Sequence, residues 1–368
     1  MKTFGDLFPA IAGFENLVLA AKQAAKNKKW TEEMAAFHMR LEENLLQLQI
    51  RLLNKTYQPG QYRTFMVYDP KPRMISAAPY RDRVVHHALC HVIEPIFERT
   101  FIYDSYANRI GKGTHKAILR YQRYARRFPY VLKCDIRKFF PSIDHELLRQ
   151  ALRWKICCPD TLWLIDVIIE GSNEQGAPPE WFPGDDLFSP FLRRRGLPIG
   201  NLTSQFWGNV YLNRFDHFIK EKLGVSGYLR YVDDFVLFGT DKAQLWAWKQ
   251  DCTRYLENVR LRIHPDKTQV YRVADGVPFL GFTIYPNGRR VQKAKLKRHR
   301  RHLRRMLAER KVHQLKPQQL EDSLNAWLGH IRFGKSHQLE QKTFRCLRSQ
   351  GVNLHRHPRG SWRVLEQQ

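Results

Sequence analysis

Acidic residues are in short supply in this chain. Against 62 Lys and Arg it carries 35 Asp and Glu, a formal net charge of +27 over 368 residues. Residues Arg289 to Gln368 alone hold 21 basic and 5 acidic side chains and so supply +16 of that excess. Cysteine is also sparse. The six present (Cys90, Cys134, Cys157, Cys158, Cys252, Cys346) form no CxxC pair, which speaks against a disulfide framework and fits a reducing, cytoplasmic setting. Cys157-Cys158 reads as buried. No run approaches the roughly 18 consecutive apolar residues of a membrane-spanning helix. The first twenty residues include Asp6 and Glu15 and lack a basic start, so no signal peptide and no membrane partner are expected. Internal repeats and heptads are absent too, against a solenoid or a coiled coil.

What is present is a core. Hydrophobic content of 43%, with 9 Trp, 15 Tyr and 22 Phe, rules out a basic disordered tail. The length suggests two or three domains of roughly 100–200 residues each. So basic a chain reads first as a polyanion binder, because each Lys or Arg brought to a phosphate releases counterions.

Residues 14–53 are expected to be helical, with Leu41, Leu45, Leu48 and Leu52 on one face and a helix start at Thr31. Residues 62–68 read as a strand and 81–97 as a helix. A short strand over 130–135 ends on Asp135, and Asp144 should cap a helix through Leu152. Gly and Pro make 171–190 a long loop. Residues 203–219 and 242–259 read as helices. Residues 228–238 read as two strands with Asp233-Asp234 at the bend, and further strands are expected near 267–270 and over 279–285. Asn287-Gly288 marks a turn, and the chain from Val291 on is helical and basic.

The strongest chemical signal is Tyr231-Val232-Asp233-Asp234. Two adjacent carboxylates between apolar half-strands repel each other, and burial disfavours both ionised forms. Divalent cations remove that cost. The plainer alternative is a polar hairpin turn, but such bends favour Asn-Gly or Asp-Gly, and neither is here.

CDIRKFFPSIDH (Cys134 to His145), GLPIGNLTSQ (Gly196 to Gln205), YVDD and FLGF (Phe279 to Phe282) come in an order and spacing that resemble the reverse transcriptase palm. The resemblance runs from about Tyr62 to Ile331. It implies an α+β, right-hand polymerase fold. The expected parts are a helical extension (1–60), fingers (61–130), a palm with an antiparallel sheet (131–290, loop insertion 171–195), a helical basic thumb (291–345) and a basic tail (346–368). It also implies two-metal nucleotidyl transfer on Mg²⁺, with Mn²⁺ as a substitute, at Asp135, Asp233 and Asp234, with Ile136 counted among the metal-site positions.

Other roles carry over position by position. Lys71 and Arg73 match residues that clamp the incoming triphosphate, with a solvated basic turn as the alternative. Phe140 matches the aromatic that crowds the sugar 2′ position, with a core Phe beside Phe139 as the alternative. Lys267 stands where a lysine protonates pyrophosphate, although a lone surface Lys is common. Ile199 and Gly200 fall at the nucleotide site. Ser204, Gln205 and the turn Phe279, Leu280, Gly281 would meet template and primer, as would Lys297, Arg301, Arg304 and Arg305 of the basic helix. That helix (Lys293 to Lys311, ten basic residues and one acid) could instead suit a membrane or calmodulin, but its position favours a duplex grip.

The usual Gln-Gly and Ser-Pro steps of the fourth motif are here Ile199-Gly200 and Ser204-Gln205. This version is similar to the reverse transcriptases of diversity-generating retroelements. It implies error-prone copying of a template RNA, with errors mostly opposite adenine. It also implies partners: template RNA, the RNA–cDNA duplex, dNTPs, and a small basic accessory variability protein that oligomerises. A retron-like or phage-defence reverse transcriptase, and a non-catalytic RNA binder on the same scaffold, are the rival readings. His86, His87, Cys90 and His91 read as a helix face rather than a zinc site, and Gly111-Lys112-Gly113 lacks full phosphate-loop spacing. About 25 residues follow the expected thumb, so neither a ribonuclease H nor an endonuclease domain is expected.

Overall fold

Leucines at helical spacing make the first stretch of the chain α-helical. The computed structural model describes residues 2–68, 72–173, 175–176, 178–311, 317–334, 336–356 and 362–364. Helices α1 (Phe8–Ala12), α2 (Phe14–Ala25), α3 (Glu32–Met39) and α4 (Leu41–Leu53) precede β1 (Arg63–Val67), β2 (Arg73–Ala77), α5 (Tyr80–Glu98) and α6 (Thr114–Ala125). Next come β3 (Tyr130–Asp135), α7 (Phe139–Ser142), α8 (His145–Arg153), α9 (Pro159–Glu170) and α10 (Ser189–Leu192). Then α11 (Leu202–His217) runs into a π-helical turn, followed by β4 (Gly227–Tyr231), β5 (Asp234–Gly239) and α12 (Lys242–Asn258). The remainder is β6 (Gln269–Arg272), β7 (Val277–Phe279), β8 (Phe282–Tyr285), β9 (Gly288–Val291), α13 (Lys293–Lys311), α14 (Pro317–Phe333), α15 (His337–Arg348), β10 (Leu354–Arg356) and β11 (Trp362–Val364). This is a mixed helix-and-sheet architecture with antiparallel pairings. No helix among the described residues is long and apolar enough to cross a membrane.

The chain divides into two compact units. The first comprises Met1–Gly113, Leu132–Leu237 and Lys242–Gln269. Its core joins Leu17, Ala20 and Ala21 of α2 to Val84, Val85, Ala88 and Leu89 of α5, all fully buried. Each such Leu or Val contributes roughly 1.5–3 kcal/mol relative to exposure. Helix α11 is buried on nearly every side, with Phe206, Trp207, Val210, Leu212 and Phe215 inside. Strands β4, β5 and β3 are hydrogen-bonded in that order, so Asp135 ends the strand beside the one that Asp234 begins.

Caps fix the helix starts. The Thr31 hydroxyl accepts from Met34 N at 3.3 Å, and Asp144 Oδ1 accepts from Leu147 N at 3.0 Å. Asp144 is buried and also takes Arg260 at 2.6 Å and Arg193 at 3.4 Å.

The second unit comprises Thr114–Val131, Phe238–Asp241 and Val270–Gln368. Tyr121 of α6 stacks on Phe279 at 5.0 Å and meets Phe238 edge-on at 4.8 Å. Strands β7, β8 and β9 form an antiparallel meander. Helix α13 buries Leu303, Met306 and Leu307, and His299 stacks on Trp327 of α14 at 3.7 Å.

Several expectations are corrected. Residues 279–285 are not one β segment, because Leu280 (φ 46°) and Gly281 (φ 87°) are left-handed and fold it into the β7–β8 hairpin. Asp234 is not at a bend but opens β5; the turn is Val232-Asp233. The strand expected near Lys267 starts at Gln269, because Pro265 at a helix N1 position makes 265–267 a 3₁₀ turn. Cys158 is buried, but Cys157 is exposed beyond the end of α8. The tail, which has no assigned role in sequence, pairs β10 with β11 and docks on α14. There Asn325 donates to Trp362 O at 2.9 Å and accepts from Trp362 N at 2.8 Å.

Candidate active site

The three carboxylates singled out in sequence lie near one another, Asp135 at the end of β3 and Asp233-Asp234 at the start of β5, within the first unit. Backbone bonds set their spacing: Ile136 N donates to Asp233 O at 3.1 Å, and His264 N donates to Asp135 O at 2.7 Å. Ile136 itself is buried and pairs with Ile263. Val232, before Asp233, has φ 59°, a conformation a β-branched residue rarely takes. Lys267 Nζ lies 2.5 Å from Asp135 Oδ1, so the 3₁₀ turn delivers its ammonium directly to this carboxylate.

The electrostatics are those of crowded anions. Burial pushes the Asp233 carboxyl up to about 6, and the charges of Asp234 and Asp135 add to the shift while Lys267 opposes it. Asp234 is raised as well, by burial first, with Lys133 opposing and Asp135 adding. Oxygen donors crowded enough to disfavour charge on Asp233 and Asp234 suit a hard divalent cation. As they stand, no three His, Cys, Asp or Glu side chains among the described residues converge on a single point close enough to ligate an ion. The donor chemistry fits a hard divalent cation, and the Lys267 ammonium lies against Asp135.

The structure ties several of the positions expected at the nucleotide site to one another. Lys71 lies outside the described residues. Arg73 is exposed at the start of β2. On the same strand Ser76 N donates to Ile199 O at 2.9 Å, which docks the Ile199-Gly200 turn on β2. Gly200 has φ 123°, and a Cβ there would lie 3.2 Å from Ile75 Cγ2, so both backbone and space favour glycine. Leu197 N donates to Phe140 O at 2.9 Å and ties this loop to α7. Phe139 is the buried core residue, whereas Phe140 is half-buried. Gly208 of α11 makes room for both rings: a Cβ there would lie 3.1 Å from Phe139 Cε1 and 3.4 Å from Phe140 Cε1. Ser204 is buried in α11 and Gln205 is exposed.

In the second unit, Phe279 is buried, and Leu280 and Gly281 form the hairpin turn. Lys297, Arg301 and Arg304 are exposed on α13 and line a shallow groove with Lys293, Leu296 and Arg300. Arg305, also exposed, lies 3.5 Å from Glu309. The opposite face of this helix carries the buried Leu303, Met306 and Leu307.

Sequence reasoning does not single out Arg230 or Asp216, which form a wholly buried ion pair directly behind the Val232 turn. The available signal is a charged residue inside the apolar strand YLRYV.

A family model described as reverse transcriptase (RNA-dependent DNA polymerase) matches residues 68–284, more than half of the chain. Protein YkfC of Escherichia coli K12 is 30% identical over 290 residues, which cover 67% of this chain and 72% of that protein. The group II intron-encoded protein LtrA of Lactococcus lactis subsp. cremoris is 22% identical over 181 residues, covering 48% of this chain and 28% of LtrA. Nuclear intron maturase 1, mitochondrial, of Arabidopsis thaliana is 25% identical over 96 residues, covering 26% of this chain and 14% of the maturase.

Proposed function

The chain belongs to the reverse transcriptase family and is an RNA-directed DNA polymerase; on that premise we propose that it copies the template RNA of a diversity-generating retroelement with low fidelity. The observation that carries the finer reading is the Ile199-Gly200 turn held against β2. An aliphatic side chain at that turn offers the nascent base pair no polar contact, which would loosen geometric checking.

In this reading Asp135, Asp233 and Asp234 hold divalent cations. Bound there, such ions supply charge neutralisation at the triphosphate and acidification of the primer 3′-hydroxyl. Lys71 and Arg73 orient the triphosphate, Phe140 crowds the sugar 2′ position, and Lys267 gives its proton to the departing pyrophosphate. The hairpin turn at Leu280-Gly281 steadies the primer, and α13 grips the duplex by its phosphates. Residues 61–130, 131–290 and 291–345 would then serve as fingers, palm and thumb. A small basic accessory protein would complete the machinery in the cytoplasm.

A second reading, a reverse transcriptase that serves a structured intron-type RNA, is supported by the likeness to LtrA and to nuclear intron maturase 1. One experiment separates the two: cDNA made on a defined primed RNA is sequenced, with and without an accessory protein. Errors concentrated opposite template adenines support the retroelement reading. Uniformly sparse errors support the second and sink the first.

A further inference from the structure

Behind the Val232-Asp233 turn lies a polar network inside an otherwise apolar core. Arg230 is 0% exposed. Its Nε and Nη2 donate to Asp216 Oδ1 and Oδ2 at 2.7 and 2.6 Å, a two-pronged pair between β4 and α11. Tyr228 OH donates to Asp216 Oδ1 at 2.6 Å. The remaining arm of the guanidinium, Nη1, donates to Asn209 Oδ1 at 3.1 Å and to the Val232 carbonyl at 3.0 Å. The main chain of Arg230 is fixed as well, its N donating to Asp104 O and its O accepting from Tyr106 N, both at 3.0 Å. Every polar atom of the guanidinium therefore has a partner, and one of those partners is the backbone of the turn.

That turn needs a partner. Val232 has φ 59°, and its branched Cβ disfavours the left-handed region more than most side chains do. Backbone strain of this kind persists only where the surroundings over-determine it. A buried ion pair is weak evidence for stability, since apolar residues of like volume often replace one without loss. Here the pair has a geometric consequence: it pins the carbonyl that immediately precedes Asp233, whose own carbonyl accepts from Ile136 N beside Asp135.

We propose that Arg230, clamped by Asp216, is a positioning residue that holds the left-handed Val232 turn and thereby sets where the Asp233 carboxylate stands relative to Asp135. The proposal rests on the reading of Asp233 as a catalytic carboxylate. It predicts that Lys cannot replace Arg at 230, because an ammonium lacks the planar fork that meets Asp216 and Val232 together.

The test is a cycle of wild type, R230K, V232G and R230K/V232G in the 368-residue chain. Each is assayed for dNTP incorporation on primed RNA, for Mn²⁺ binding by electron paramagnetic resonance, and for thermal melting. R230K should lower kcat by roughly tenfold or more, with the KM for dNTP within about twofold, and weaken Mn²⁺ binding. Glycine takes a left-handed φ without restraint, so V232G in the R230K background should recover most of the lost kcat. A folded R230K with wild-type kcat, or one that V232G does not rescue, would overturn the proposal. If R230K does not fold, the V232G single variant decides. A melting temperature equal to or above wild type supports a turn held against its preference, and a lower one overturns it. D233N runs alongside. Activity of D233N equal to wild type would remove the underlying reading, whereas an inactive D233N beside a wild-type-like R230K removes this inference alone.

Discussion

Asp233 carries the sharpest consequence at the scale of single residues. Its carboxyl is pushed up to about 6 from an ordinary 3.8, chiefly by burial and then by Asp234 and Asp135. Between those values the folded protein binds more protons than the unfolded chain, so stability falls as pH rises. The contribution of this group is full below about 3.8 and is lost as pH passes through 6. In EDTA at pH 7, Asp233→Asn should therefore melt about 2–4 °C above wild type, and the gap should close by pH 4. Lys267 opposes the shift, so Lys267→Met should widen the gap at pH 7. Melting curves at both pH values check both statements. The carboxylates are legible in sequence because a charge inside an apolar strand stands out locally. Arg230 is equally conspicuous in YLRYV, yet its meaning depends on Asp216, one helix earlier, and on a left-handed Val232. Neither the pairing nor the turn is written in local pattern.

Elements are legible where their signals are local. Thr31 and Asp144 cap α3 and α8 as their residue types predict, and β3 ends on Asp135. The hairpin within 279–285 is not, because FLGFTIY reads as one apolar β run and only the left-handed pair Leu280-Gly281 breaks it. The same holds at Lys267, where a 3₁₀ step opened by Pro265 delays the strand expected near 267–270 to Gln269 and brings Lys267 to Asp135. Asp144 shows how much one element can rest on one side chain. It caps α8 while pairing with Arg193 and Arg260 in a buried setting. Asp144→Ala would leave a helix end open and remove the carboxylate that Arg260 binds, while Arg193 would keep Asp185 alone. We expect a loss of about 3–5 kcal/mol, read from the urea midpoint. A loss under about 1 kcal/mol, typical of an exposed pair, would contradict this account.

Across the whole molecule, the carboxylate cluster and the densest positive charge belong to different compact units. The carboxylates and Lys267 belong to the first, and most of the +16 carried by Arg289 to Gln368 is on helices of the second. Sequence conveys the amount of charge; the structure adds that α13 sets exposed Lys297, Arg301 and Arg304 opposite an apolar face. Replacing these three by Gln should weaken binding to an RNA–DNA duplex at low salt. It should also flatten the slope of log K against log salt by about 2–3, close to one for each phosphate left without its cation. An unchanged slope would show that α13 is a solvated face.

The role proposed for the three carboxylates is tested most directly by dNTP incorporation on a primed RNA template with Mg²⁺, wild type against Asp233→Asn. Wild type should incorporate dNTPs and lose that activity on chelation, and the variant should fall by roughly a hundredfold or more. Equal incorporation by both proteins, or none by a wild type that still binds the RNA, would contradict that role.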